Sequence, residues 1–171
     1  MSGKSWTVQH PHGEGGGPPF SDLRPQLDPI VARYPVRAGA MLPVLWIVQN
    51  ARGWLSPQSI REVAEYLEVP PAHVEGVVSF YTMFRGEPCG RHVVMVCKTL
   101  SCRLRGAQDV IDALVLKFGV GLGETTKDGR VTIETAECLG LCDMAPCLLV
   151  GTDRRGNLTP ESAIAAVEGL R

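Results

Sequence analysis

"RHVVMVCKTLSC", residues 91–102, begins as a short β-rich run and ends on two thiols, Cys97 and Cys102. A second stretch, "KDGRVTIETAEC" (127–138), repeats the arrangement. An Asp-Gly turn leads into an alternating strand that ends at Cys138, and Cys142 follows in "ECLGLCDMAPC". Each cysteine pair therefore sits just past the carboxyl end of a strand, the edge at which open α/β sheets bind ligands. If the two strands are neighbours, four thiolates converge on one point, a donor set that suits either zinc or a 2Fe–2S cluster. Structural zinc sites use tight two-residue spacings. A cluster has two irons, each needing its own cysteine pair, and accepts the looser spacings of four and three found here. Spacing thus favours the cluster, with a zinc-stabilised adaptor as the rival. No Cys-x-x-Cys occurs, which speaks against a thioredoxin-type dithiol and a stand-alone thiol oxidoreductase.

The elements around these strands complete a small mixed sheet with helices packed on it. "GAQDVIDALVLKF" (106–118) is amphipathic, with Ala107, Val110, Ile111, Leu114 and Phe118 on one face and Gly119 as its cap. "CLLVG" (147–151) reads as a third strand and "DRRGN" as a turn. "LTPESAIAAVEGL" reads as a last helix capped by Thr159 with Pro160 in its first position. The predicted order is strand, helix, strand, strand, helix.

The chain before this region reads as helical. Residues 21–34 predict a helix ended by Pro35, and 39–52 a second capped by Gly53. A third starts at Ser56 with Pro57 in its first turn and has Ile60, Val63, Ala64 and Leu67 on one face. After Pro70–Pro71 a fourth carries Val74, Val77, Val78 and Tyr81. Four helices with short connections imply a small bundle, read as a packing or docking module. The expected division is a flexible tail over 1–19, a helical bundle over 20–86 and the cysteine-bearing domain over 87–171.

Composition excludes several function classes. The 171 residues are 44% hydrophobic and 20% charged, with a net charge of −1. That charge gives no field to attract nucleic acid or anionic lipid. The N-terminal stretch has no apolar core of a secretory signal, and the run Met41–Val48 is too short to span a bilayer. A cytoplasmic chain without membrane insertion is expected, and in a reducing compartment clustered cysteines point to metal or redox chemistry rather than disulfides. "GEGGG" (13–17) lacks the strand and the Lys-Ser/Thr of a phosphate loop, and "GVGLG" (119–123) follows a helix, so neither binds a nucleotide. His10 and His12 read as solvated tail residues, and His73 and His92 as structural. Cys89 and Cys147 read as inert or packing thiols, donors only if the pairing above fails. Lys98, Arg103 and Arg105, with the amino end of the 106–118 helix, would favour an anionic cluster, and Arg103 and Arg105 read equally as a solvated or partner-facing charge pair. Gly106 and Gly140 would let backbone amides approach sulfur, and Asp143 would oppose reduction.

"GWLSPQSIREVAEYLEVPPAHVEGVVSFYTMF", "CKTLSCRLRGA", "GETTKDGRVTIETAECLGLCDMAP" and "GNLTPE" together resemble the 2Fe–2S subunit of the NADH dehydrogenase module of respiratory complex I, the thioredoxin-like ferredoxin family. The resemblance covers roughly residues 28–168. It implies a helical N-terminal domain followed by a thioredoxin-like domain, with Cys97, Cys102, Cys138 and Cys142 ligating one 2Fe–2S cluster. It also implies a flavin- and NADH-binding partner subunit, further iron–sulfur subunits, and a place on the cytoplasmic face of the membrane through the complex. Relatives in NAD-dependent formate dehydrogenases and NAD-linked hydrogenases supply the alternative assembly. FMN and NADH are then expected on the partner, because NADH gives up two electrons at once and this chain has no dinucleotide fingerprint. Two features depart from the pattern: the chain ends soon after its last helix, and Cys147 stands where an aliphatic residue is expected.

Overall fold

The computed structural model describes residues 17–170, which divide between Pro88 and Cys89 into two compact units. Residues 1–16 of the expected tail, with His10, His12 and all of "GEGGG" but Gly17, fall outside the described residues.

The first unit contains α1 (Phe20–Val31), α2 (Met41–Arg52), α3 (Pro57–Leu67) and α4 (Pro71–Phe80). Its core takes Leu23, Leu27 and Val31 from α1, Val44, Leu45 and Val48 from α2, Val63, Ala64 and Leu67 from α3, and Val74 and Val78 from α4. Capping follows the sequence closely. Ser56 Oγ accepts the Ser59 N–H at 3.1 Å, and Gly53 closes α2 with φ 87°. Two boundaries move inward. α1 stops at Val31, and its last carbonyls are taken up by turns through Arg33 and Tyr34, ahead of Pro35. A 3₁₀ turn over Arg37–Ala40 precedes α2. Pro43 sits within the first turn of α2, where an amide has no intrahelical partner to lose.

This unit also buries polar groups that periodicity could not reveal. Arg52 donates from Nη1 to Glu62 and Ser59, and from Nε and Nη2 to the Pro18 carbonyl. Gln49 bridges to the Met83 carbonyl and the Arg85 N–H, fastening the exit segment to α2. Tyr66 donates to Asp28 at 2.6 Å, and the Arg24 and Arg37 guanidiniums lie 5.3 and 4.9 Å from its ring centre. Burial first, and the Asp28 bond second, push the Tyr66 phenol up to about 12. Its stabilising contribution is whole below the ordinary phenol value near pH 10 and is lost as pH rises toward 12. Tyr66→Phe should therefore flatten the alkaline arm of the stability curve above about pH 10, measured by denaturant melts across pH. An unchanged alkaline slope would refute this.

The second unit is built on a four-stranded sheet in the order β2-β1-β3-β4. β1 (His92–Cys97) is central, running parallel to β2 (Val131–Ala136) and antiparallel to β3 (Leu148–Val150), and β4 (Asp153–Arg155) is the edge. The strand read as ending at Cys138 stops two residues earlier, at Ala136. Val94, Val96, Val131, Ile133 and Leu148 join Val110, Ile111 and Leu114 of α6 (Ala107–Phe118) and Ala163 and Val167 of α7 (Pro160–Glu168) in one core. Thr159 caps α7 reciprocally with Ser162, as the Thr-Pro signal predicts.

Two elements differ from the sequence reading. "DRR" within the predicted turn is strand β4, whose three residues are all exposed, so no alternation betrays it. A charged, short edge strand is a common device against edge-to-edge pairing. The segment after Cys97 holds a short helix, α5 (Leu100–Leu104), too brief to show a hydrophobic period.

Candidate metal centre

β1 delivers Cys97 to the carboxyl edge of the sheet between two partners. It is in register with Ala136 at the end of β2, and its N–H donates to the Cys147 carbonyl at 3.0 Å, just ahead of β3. Three residues on, α5 turns Cys102 inward. Cys97, Cys102 and Cys147 are each 1% exposed and share a small apolar nest with Ala107 and Ala145, flanked by Leu139 and Leu141. Their three sulfurs lie within 4.8 Å of one another, and the Cys102 and Cys147 sulfurs are 3.7 Å apart.

The loop after β2 folds against this nest. The Glu137 carbonyl oxygen lies 3.6 Å from the Cys97 sulfur. The thiols of Cys138 and Cys142 on that loop are exposed and outside the three-sulfur group. Gly140, at φ 71°, turns its N–H toward Cys138 Sγ at 3.5 Å, and a 3₁₀ turn starts at Cys142. The fold thus brings both predicted pairs to one sheet edge, the first at the end of β1 and on α5 and buried, the second on the loop after β2 and open to solvent.

The electrostatics differ among the buried thiols. Burial opposes ionisation of Cys97, but hydrogen bonds from the Thr99 hydroxyl and amide, then from Cys102 and the Leu139 amide, outweigh it and bring Cys97 down to about 7. Cys102 moves up, through burial and then the bond it gives to Cys97. Cys147 is pushed up to about 12 by burial and then by Cys102. Thr99, whose Oγ1 is 3.2 Å from Cys97 Sγ, is a site residue that the sequence reading misses. The available signal is a hydroxyl two residues past a strand-ending cysteine, a spacing at which Ser and Thr reach back to local acceptors. Cys147 is buried, as its reading as a packing thiol requires, yet its sulfur belongs to the group.

The expected cationic surroundings are only partly there. Lys98 pairs with Glu137 at 3.0 Å, and Arg103 and Arg105 are exposed, with Arg103 turned toward Gln108 at 3.5 Å. The Gly106 N–H closes on the Arg103 carbonyl rather than on a sulfur. Direct amide and hydroxyl donors therefore carry more of the stabilisation at sulfur than distant charges do. The donor chemistry fits an iron–sulfur group. Two thiol pairs follow two neighbouring strands, one thiol is shifted toward its ligating form, and N–H and O–H groups point at sulfur.

Residues 27–171 match the family described as Thioredoxin-like [2Fe-2S] ferredoxin. An NADH-quinone oxidoreductase subunit of Rhizobium meliloti is 40% identical over 149 residues, covering 87% of this chain and 89% of that protein. The corresponding NADH-quinone oxidoreductase subunit of Pseudomonas aeruginosa is 38% identical, covering 75% of this chain and 78% of its own length. That of Mycobacterium tuberculosis is 42% identical over 83% of this chain, which spans only 56% of that relative. Among solved structures, an NAD+-reducing [NiFe]-hydrogenase in the air-oxidized state aligns with a TM-score of 0.67 at 23% identity. The alignment covers 77% of this chain and 22% of the hydrogenase chain, a likeness that speaks for the fold alone.

Proposed function

Because the chain belongs to the thioredoxin-like 2Fe–2S ferredoxin family, we propose that it is the electron-transfer subunit of an NADH-quinone oxidoreductase, carrying one 2Fe–2S cluster on Cys97, Cys102, Cys138 and Cys142. The observation that carries this reading is the identity of 38–42% to subunits of that complex across three quarters or more of the chain. The hydrogenase alternative rests on fold likeness alone, and the relatives named above lend no support to the formate dehydrogenase one.

When bound, the cluster supplies one-electron transfer, splitting the electron pair that NADH releases. The chain's own residues prepare for that chemistry. Cys97 reaches its anionic form near neutral pH, so it can ligate without a large proton penalty. Thr99 and Leu139 donate to its sulfur, and Gly140 donates to Cys138. Such bonds favour the more negative, reduced state and so raise the potential. Ala107, Ala145, Leu139 and Leu141 keep water from the inner pair. Exposed Cys138 and Cys142 leave the other side open for loading and for approach by a redox partner.

The partner is a subunit that binds FMN and NADH, with further iron–sulfur subunits beyond it, and the helical unit is a docking module for that assembly. No helix among the described residues is long and apolar enough to cross a membrane, so attachment to one would run through other subunits. The chain purified under anaerobic conditions should be red-brown, carry iron and sulfide in equal amounts, and give a rhombic EPR signal after chemical reduction. A colourless chain retaining zinc would replace this reading with a structural adaptor.

A further inference from the structure

We propose that in the cluster-free chain Cys97, Cys102 and Cys147 form a site for a single thiophilic ion of the zinc and cadmium class, held by three sulfurs. The site itself needs only these thiols. Its competition with the cluster rests on the ligand reading above, since Cys97 and Cys102 belong to both.

The three sulfurs converge from separate elements: the end of β1, the helix α5 and the entry to β3. They lie within 4.8 Å of one another. A tetrahedral ion with metal–sulfur bonds of about 2.3 Å requires sulfurs about 3.8 Å apart, and Cys102 and Cys147 stand at 3.7 Å. The arrangement is held in place by the bond from the Cys97 N–H to the Cys147 carbonyl at 3.0 Å and by packing of Ala107 and Ala145. Each thiol is 1% exposed, so the three sulfurs are already shielded from bulk solvent before an ion enters. Cys138 and Cys142 stand exposed outside the group. The exchange balances simply. One dication enters and each thiol releases its proton to solvent, leaving a three-thiolate complex of one net negative charge, with water in the fourth position. Thiolates select soft and borderline ions, which sets the class. Cys147 is the one donor of this site that the cluster does not use, and it becomes the residue that diverts the chain from cluster loading.

The test uses the full-length chain stripped of its cluster, kept anaerobic with a reductant that does not bind metal, and titrated with cadmium alone. One ion per chain is expected, with X-ray absorption at the cadmium edge giving a shell of three sulfurs completed by oxygen. A four-sulfur shell in the unaltered chain overturns the proposal without recourse to any variant. Cys147→Ala should weaken cadmium binding by at least about 100-fold, since losing a direct ligand costs no less than losing an outer-shell partner, while Cys138→Ser should bind as the unaltered chain does. Equal loss in Cys138→Ser, or undiminished binding in Cys147→Ala, would also refute it. Iron and sulfide uptake by the unaltered chain, measured separately without cadmium, reports on the cluster reading, so the two ideas fail on different measurements.

Discussion

Cys138→Ser, purified anaerobically, is expected to lose its visible absorption and EPR signal, with iron per chain falling at least about tenfold. A serine hydroxyl does not ionise near neutral pH and is a harder donor than thiolate, so one iron would lose half of its protein ligands. Exposure makes the experiment clean. Cys138 contributes nothing to either core, and substitutions at such positions change stability by within about 0.5 kcal/mol. The cluster-free variant should thus melt with the cluster-free parent. Cys89→Ser should keep the parent's visible spectrum, because Cys89 lies ahead of the amino end of β1, while both cysteine pairs stand at the carboxyl edge of the sheet. Bleaching in Cys89→Ser, or retained colour in Cys138→Ser, would show the ligand assignment to be wrong.

Gly156→Ala is expected to destabilise the second unit by about 3 kcal/mol, at the upper end of ordinary overpacking. A Cβ at Gly156 would collide with the Met144 Cβ and stand 2.6 Å from its carbonyl oxygen. That carbonyl cannot simply move, because it accepts the Asn157 N–H at 2.6 Å, and the Met144 N–H closes the turn on Leu141 at 3.0 Å. Alanine must therefore push the β4–α7 connection away from the loop that carries Cys142. For a unit of this size the loss corresponds to a fall in melting temperature of roughly 12–24 °C. Gly76, mid-helix in α4, is the contrast. Nothing lies within 4 Å of a Cβ there, and Gly76→Ala should stabilise by up to about 1 kcal/mol through helix propensity. Calorimetry of both variants checks the pair, and a Gly156→Ala melt within a degree or two of the parent would refute the steric argument.

Much of this architecture was legible because its causes are local. The helix starts at Ser56 and Thr159 follow from side-chain oxygens meeting amides three residues on. The ends of α2 and α6 follow from glycines that adopt positive φ without strain. The core faces of α3 and α6 follow from a 3.6-residue period. What stayed hidden lacked a period or a local partner. α5 is a single turn and a fraction, β4 is exposed on all three residues, and Arg52 finds Glu62 and Ser59 only after α2 and α3 pack together.

The centre divides the same way. Which residues carry sulfur, and that each close pair follows a strand, was settled by residue order alone, because strand ends and thiol spacing are properties of a few neighbouring residues. Which sulfurs meet was decided only by the sheet. Placing β1 between β2 and β3 joins Cys97 to the Cys147 carbonyl across a long stretch of chain, buries Cys102 beside both, and leaves Cys138 and Cys142 facing solvent. Strand order is a long-range choice, made by burying Val94, Val96, Ile133 and Leu148 in a common core, and no local pattern around any one cysteine encodes it.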